Sequence, residues 1–201
     1  MARDCRRQSG AGPGDPGNAN FGLSRRRFLA IAAWGVAGVF IPGIAAASRS
    51  TIHVARRLSF HNLHTDERLT AVYWQRGSYV PAALEEIDTI LRDHRTGEIR
   101  TMAPRLIDVI FALTARLGST TPVQIVSGFR SAATNDQLHA EDPEHVAAHS
   151  LHLTGEAVDL CFEDRSLRRV RDAAISLRSG GVGHYPRSGF VHLDIGRVRR
   201  W

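Results

Sequence analysis

The chain has 201 residues, which is enough for one ordinary domain with appendages. Its 26 basic residues outnumber its 20 acidic ones, and a pI near 10.5 suggests a nucleic-acid partner. Residues 1–47, however, hold six of the basic and only two of the acidic residues, leaving 20 basic and 18 acidic residues in 48–201. The remaining chain is nearly neutral, which argues against nucleic-acid binding, and two cysteines are too few for a disulfide-stapled scaffold.

The first 47 residues predict a disordered segment followed by an export signal. Residues 1–20 are rich in Gly, Ala, Asn and Pro and show no apolar periodicity. The sequence SRRRFL at Ser24–Leu29 resembles a twin-arginine signal, and the apolar segment after it ends in the small residues Ala45–Ala47. We therefore expect export by the twin-arginine translocase to the periplasm, with only transient membrane contact and a mature domain at 48–201. An uncleaved inner-membrane anchor is the less favoured alternative.

The mature region combines strand and helix patterns. Residues 50–63 and 69–74 predict strands joined as a hairpin. Two apolar stripes, each opened by a proline, predict helices at 81–93 and 104–117. The further expected elements are a strand at 122–126, a helical turn at 132–140, a loop at 141–149, strands at 156–162 and 190–195, and a helix at 167–177.

One stretch places a carboxylate where burial would be costly. Asp159 stands in an apolar strand pattern, and a buried carboxylate requires a cation or several hydrogen-bond donors. His152 lies seven residues earlier, and Thr154–Gly155 between them permits a tight turn. The imidazole and the carboxylate can therefore converge on one point.

A second strand has the same character. His192 and Asp194 alternate with apolar residues and share one face of the strand. Two imidazoles and one carboxylate leave the fourth position of a tetrahedral zinc ion open to water. The sequence therefore predicts a catalytic metal site made of His152, Asp159 and His192.

Arg130 follows the strand at 122–126, where a loop begins and functional side chains are common. Its position alone leaves a functional role and a surface ion pair equally open. His61 and His64 could be ligands, but no ligand-type partner stands at regular spacing, so turn and surface roles are preferred.

Several motifs together resemble a known family. The pattern SxHxxGxAxD at Ser150–Asp159 is similar to the first zinc motif of the LAS metallopeptidases, and Ser127–Ser131 is similar to another signature of that superfamily. The segments Asn62–Thr65, Leu91–Arg95 and Phe190–Trp201 more closely resemble the twin-arginine-exported murein endopeptidase K branch. The resemblance covers nearly all of residues 50–201.

The resemblance implies an α+β fold in which a small antiparallel sheet carries a zinc site and helices flank it, as in D-Ala-D-Ala peptidases and hedgehog. It implies an enzyme that hydrolyses amide bonds in peptidoglycan stem-peptide cross-links, and we separately expect a monomer. The direct diaminopimelate–diaminopimelate linkage is the expected target, and the D-alanine–diaminopimelate linkage is the competitor. Carried over by residue, His152, Asp159 and His192 are zinc ligands, and Arg130 holds the scissile carbonyl and its developing oxyanion.

The chain departs from the family at one position. Many relatives carry Glu or His just before the last ligand as general base, but Gly189 and Phe190 stand there. Asp194 is a candidate for the base, and its competing roles are to orient a ligand imidazole or to bind the metal. His149 and His184 are weaker candidates.

Three other functions remain open. A D,D-carboxypeptidase or D,D-endopeptidase could share the fold. A zinc-containing peptidoglycan-binding module without catalysis is also consistent with the missing Glu. The spacing His192-x-Asp194 also matches the iron site of 2-oxoglutarate oxygenases, but no histidine follows it as that site requires.

Overall fold

The structure is a computed structural model that describes residues 54–144 and 146–201. The predicted disordered segment and export signal at 1–47 lie outside the described residues. Within the described ranges, none of the helices is both long enough and apolar enough to traverse a bilayer.

The described part of the chain contains four α-helices. Their bounds are α1 Pro81–Ile90, α2 Pro104–Leu117, α3 Ala132–Glu141 and α4 Leu167–Leu177. Helices α1 and α2 each begin at a proline, as predicted, because proline is pre-organised for the first helical turn and has no N–H to leave unpaired. A short 3₁₀ turn, Leu151–Thr154, carries His152 and precedes the strand that carries Asp159.

Within the described residues, eight strands form one sheet. Their bounds are β1 Arg56–Asn62, β2 Arg68–Gln75, β3 Ser78–Tyr79, β4 Val123–Ser127, β5 Ala157–Cys161, β6 Gly181–Tyr185, β7 Phe190–Asp194 and β8 Arg199–Arg200. The spatial order is β3-β2-β1-β4-β5-β7-β6-β8. The α+β class is confirmed, but the sheet is larger than expected, and the pairs β1–β4 and β6–β8 are parallel.

The two faces of the sheet differ in chemistry. Alternate residues of the central strands bury apolar side chains in one core with α1, α2 and α4. These strand residues are Leu58, Phe60, Val123, Ile125, Val158, Leu160, Val191, Leu193 and Val182. The opposite face carries Asp159 and His192, which lie directly opposite each other in the β5–β7 register. The core therefore supports one face of the sheet and leaves the other for polar chemistry.

Helix α1 ends three residues before the predicted boundary at 93. Asp93 explains the difference, because its carboxylate accepts hydrogen bonds from the backbone N–H groups of Arg95 and Thr96. A short polar side chain that bonds backbone two residues ahead favours a turn over a continued helix. The periodicity of apolar residues, on which the predicted boundary is based, carries no information about such a side-chain bond to the backbone.

Candidate functional site

The three predicted ligands converge on the polar face of the sheet. Asp159 lies on β5 and His192 on the neighbouring strand β7, and their register places them side by side. His152 comes from the 3₁₀ turn, and Ser150, which caps the start of this turn, accepts a hydrogen bond from the His152 N–H. Gly155 ends the turn with a φ of 72°, a conformation that glycine adopts easily. The turn thus brings the His152 side chain next to Asp159 on the strand that follows the turn.

The ligand-type atoms are close to one another. The His192 Nδ1 to Asp159 Oδ1 distance is 2.8 Å, and the His152 Nε2 to Asp159 Oδ1 distance is 3.3 Å. The two ring nitrogens, His152 Nε2 and His192 Nδ1, are 3.2 Å apart. His152 and Asp159 are buried. Among the described residues, this trio meets the geometry of a possible metal site.

The outer nitrogen of each ring has an acceptor of its own. The backbone carbonyl of Gly128 lies 2.6 Å from His152 Nδ1, and Asp194 Oδ2 lies 3.2 Å from His192 Nε2. An N–H at each outer position would donate to these oxygens, which leaves a lone pair on the inner nitrogen of each ring. Outer partners of this kind orient metal-binding histidines in proteins.

The donor set fits a small tetrahedral cation. With bonds of about 2.0 Å to zinc, the ligands of a tetrahedral site stand about 3.3 Å apart. The three separations, 2.8, 3.2 and 3.3 Å, are of that size. With the outer N–H groups directed as described, two nitrogen lone pairs and a carboxylate oxygen face each other without a hydrogen between them. Such a cluster of acceptors is repulsive unless a metal cation or a proton on His192 lies between them.

Burial and charge act differently on the two imidazoles. Burial lowers the pKa of His152, and Asp159 only partly opposes this, so the neutral ring is favoured. Burial also lowers the pKa of His192, but the hydrogen bonds to Asp159 and Asp194 outweigh it and raise the pKa to about 9. Burial raises the pKa of Asp159, but the two imidazoles lower it by more than burial raises it. The net result is a pKa well below the ordinary range. Asp159 therefore carries a negative charge at neutral pH.

Arg130 lies beside this cluster and is itself buried. One guanidinium nitrogen is 3.4 Å from Asp159 Oδ2, the carboxylate oxygen not used toward the imidazoles. Its Nε is buried and has no hydrogen-bond partner within 54–144 and 146–201. The structure therefore excludes the surface ion pair that the sequence left open, and it places a positive charge next to the predicted metal site.

The loop after α1 braces the backbone on both sides of Arg130. Phe129 N–H donates to the Leu91 carbonyl at 2.7 Å, and Ser131 N–H donates to Asp93 Oδ2 at 2.9 Å. Burial raises the pKa of Asp93, but hydrogen bonds, chiefly from Thr134 and Ser131, outweigh it and hold the pKa well below the ordinary range. A charged Asp93 therefore fixes the loop that carries Arg130.

The backbone at Gly128 passes so close to the Leu91 carbonyl that only glycine fits there. A Cβ at this position would lie 2.3 Å from the Leu91 carbonyl oxygen, which is backbone and cannot swing away. The Gly128 carbonyl is also the acceptor for His152. One glycine thus serves both the brace and the orientation of a predicted ligand.

Asp194 lies behind the His192 ring, on the side away from Asp159 and His152. It is fully buried, and its Oδ1 accepts hydrogen bonds from the N–H groups of Gly181 and Gly196. Burial raises its pKa, but the bonds from His192 and those two N–H groups lower it to about 2. The sequence left Asp194 open as general base, ring-orienting group or ligand, and this position gives the role of base no support.

The other histidines considered in the sequence lie elsewhere. His184 alternates with Gly183, the residue opposite His192, and so belongs to the other face of β6. His149 is exposed in the loop before the 3₁₀ turn. His61 lies in β1 and is buried, so the predicted turn and surface role is wrong, and its Nε2 is 2.7 Å from Asp66 Oδ1.

His64 is exposed, as expected, but it also stacks on His94 with ring centroids 3.7 Å apart.

The sequence reasoning missed several residues around the site. Asp93 stood in the Leu91–Arg95 motif, which was noted for its resemblance and not for the brace it forms. Tyr185 and Trp201 form an aromatic wall next to His192, with the Trp201 and His192 ring centroids 5.4 Å apart. The glycine run before Tyr185 was the available signal, since a strand without side chains leaves room for bulky neighbours.

Known proteins resemble this chain over most of its length. The model of the family described as "Peptidoglycan L,D-endopeptidase MepK" matches residues 50–201. The chain is 39% identical over 181 residues to the "Peptidoglycan L,D-endopeptidase MepK" of Escherichia coli strain K12, covering 90% of this chain and 98% of that relative. It is 34% identical over 179 residues to the "Probable peptidoglycan L,D-endopeptidase MepK" of Haemophilus influenzae, covering 89% and 95% respectively.

Proposed function

This chain belongs to the peptidoglycan L,D-endopeptidase MepK family, and from that premise we propose that it is a zinc-dependent murein endopeptidase that hydrolyses stem-peptide cross-links. Membership of this family makes it an enzyme of the metallopeptidase class. The zinc requirement, the site residues and the bond cleaved are the content of the proposal.

The convergence of three acceptor atoms is the observation that carries it. His152 Nε2, His192 Nδ1 and Asp159 Oδ1 lie within 3.3 Å of one another. The outer nitrogen of each ring faces an oxygen of its own, so the inner nitrogens are free to bind a cation. Zinc is the expected metal because its tetrahedral sites favour this nitrogen and oxygen set.

A zinc ion bound here would supply a water of pKa about 7 and polarise the scissile carbonyl. The chain's own residues would do the rest. The Arg130 guanidinium, fixed by its braced loop, would attract the carbonyl oxygen as negative charge develops on it. Asp194 would hold the His192 N–H and thereby keep the metal-facing lone pair in place. We propose this positioning role for Asp194 in preference to that of general base.

The proposed target is the direct diaminopimelate–diaminopimelate cross-link. The name that these relatives share is that of an L,D-endopeptidase. The direct cross-link joins an L centre to a D centre, whereas the bond from D-alanine to diaminopimelate joins two D centres. The name therefore favours the direct linkage over its competitor.

We also propose the export route indicated by the sequence. The paired arginines at Arg25–Arg27 and the apolar segment after them are the supporting features. A mature domain at 48–201 would act in the periplasm, where its substrate is located, and the folded chain would pass through the twin-arginine translocase. The expected oligomeric state is a monomer.

A digest of purified sacculi tests the proposal. Incubation with the zinc-loaded protein should convert dimers with the direct cross-link to monomers on a muropeptide chromatogram, while D-alanine-linked dimers persist. Loss of only the D-alanine-linked dimers would identify the competing D,D-endopeptidase. If the protein binds sacculi but leaves all dimers intact, the binding-module alternative holds and the enzymatic proposal fails.

His152→Ala is the matched negative control, since it removes one metal-facing nitrogen. Chelation followed by zinc add-back should abolish and then restore the conversion by the unaltered protein. Activity that survives complete chelation would contradict the zinc requirement.

A further inference from the structure

An aromatic wall stands beside His192 on the polar face of the sheet. In the β6–β7 register, Gly183 is opposite His192 and Tyr185 is opposite Phe190, so Tyr185 shares the face of the predicted ligands. Trp201 occupies the space that a side chain at Gly183 would need, because a Cβ there would lie 2.8 Å from the indole ring. Gly183 therefore lets the indole approach the His192 imidazole.

The wall fixes the Tyr185 hydroxyl in one place. The Trp201 indole N–H donates to this oxygen at 2.7 Å. The Tyr185 ring stacks on Phe190 with centroids 4.8 Å apart and planes 24° apart. Both contacts restrict the rotation of the ring, so the position of the hydroxyl is set before any ligand binds.

The hydroxyl retains a donor for a ligand. Its oxygen accepts from Trp201, and none of the hydrogen bonds within the described ranges uses the Tyr185 O–H as a donor. A phenol has one hydrogen to donate as well as lone pairs to accept with. The hydrogen of Tyr185 is thus available to an acceptor in the space next to the site.

Arg130 reaches the same face of the sheet, because its guanidinium contacts Asp159, the residue opposite His192. The Tyr185 hydroxyl therefore lies on the face that carries the guanidinium, and Trp201, to which it is bonded, contacts the His192 ring. An oxygen that approaches Arg130 from the side of the metal site would come near this hydroxyl.

We propose that Tyr185 is a further catalytic residue whose hydroxyl donates a hydrogen bond, alongside Arg130, to the oxyanion that forms when water attacks the scissile amide. The inference rests on the proposed function. The oxygen of a water that has lost one proton to the solvent forms the C–O bond to the carbonyl carbon, while the electron pair of the carbonyl π bond moves onto the carbonyl oxygen. The hydrogen of Tyr185 remains on the phenol, so no proton changes place in this interaction. Trp201 is a positioning residue that holds the phenol oxygen.

Tyr185→Phe removes the donor and keeps the ring that stacks on Phe190. The zinc-loaded variant should show a kcat about 10²-fold lower on a direct-linked muropeptide dimer, because a lost oxyanion donor commonly costs about that much. Its KM and its zinc content should stay within about twofold of the unaltered protein, since the ground-state carbonyl gains little from the donor. Trp201→Phe should lower kcat less and leave KM and zinc content equally unchanged.

A binding measurement gives a readout independent of turnover. A phosphinate analogue of the cross-link presents the tetrahedral, negatively charged oxygens of the intermediate. Its affinity for Tyr185→Phe, measured by calorimetry, should fall by about the same factor as kcat. Tyr79→Phe is the matched control, because that hydroxyl bonds to Asp108 and not to a group of the site. The control should leave kcat and phosphinate affinity unchanged.

Two results would overturn the inference. One is a Tyr185→Phe variant whose kcat and phosphinate affinity lie within twofold of the unaltered protein. The other is a kcat loss accompanied by an equal loss of zinc, which would assign Tyr185 a structural role. Failure of the proposed function is seen separately, because the unaltered protein would then leave the dimer uncleaved.

Discussion

Replacing Asp194 with asparagine tests how the predicted metal site is held. The carboxylate serves two sides at once. Oδ1 accepts from the N–H groups of Gly181 and Gly196, and Oδ2 faces His192 Nε2 at 3.2 Å and pairs with the Arg199 guanidinium at 2.8 Å. An asparagine must keep its carbonyl oxygen toward the two backbone donors, because its amide group would repel them. The amide NH₂ then faces His192.

Two donors would oppose each other at that point. The ring can avoid the conflict only by moving its proton from Nε2 to Nδ1, the nitrogen that lies 2.8 Å from Asp159. The lone pair needed for metal binding is then replaced by an N–H. Loss of such an outer partner typically weakens metal affinity 10- to 100-fold, which corresponds to about 1.4–2.7 kcal/mol. We expect Asp194→Asn to weaken zinc binding by at least this amount.

The assay is competition for zinc with a chromogenic chelator at pH 7.5, below the unfolding temperature of each variant. Asp172→Asn is the control, since that carboxylate is exposed and pairs with Arg171 on the same helix. If Asp194 acted instead as general base, Asp194→Asn would bind zinc normally and lose only turnover. Unchanged zinc affinity in Asp194→Asn would therefore refute the positioning argument.

Three further changes test other parts of the account. His152→Ala should abolish both zinc binding and cleavage, whereas Arg130→Ala should retain zinc and lose about 10²- to 10³-fold in kcat; equal zinc loss in both would contradict the assigned roles. Asp93→Asn should lower the free energy of unfolding by about 1–3 kcal/mol at pH 7. Because the pKa of Asp93 is depressed in the folded state, its contribution is present above the unfolded value of about 4 and is lost as pH falls below it. Urea titrations should therefore show the two proteins converging below pH 4, and a constant gap would exclude this linkage. Gly128→Ala should lower stability by about 1–3 kcal/mol and weaken zinc binding, because its Cβ would displace the Leu91 carbonyl; a thermal melt matching the unaltered protein would disprove this steric argument.

Local chemistry made several elements predictable. Pro81 and Pro104 marked two helix starts correctly, because proline at the first helical position acts through its own ring. The period-2 alternation placed Asp159 and His192 on defined faces of their strands. The structure brings these residues together with His152, although their assignment as zinc ligands stays a prediction.

Longer-range facts could not be predicted in the same way. Alternation put Asp194 on the face of His192 but could not show on which side of the ring its carboxylate lies, because that depends on the Gly181 and Gly196 backbone. The parallel pairing of β1 with β4 and the place of Trp201 next to His192 depend on contacts between distant segments. No local propensity encodes such contacts.

Anomalous X-ray diffraction at the zinc edge, from crystals of the purified protein, tests the central claim most directly. The account predicts one anomalous peak per chain, bonded to His152 Nε2, Asp159 Oδ1 and His192 Nδ1 at about 2.0–2.2 Å. A peak bonded to other side chains, or crystals grown with zinc that show none at these three atoms, would contradict it.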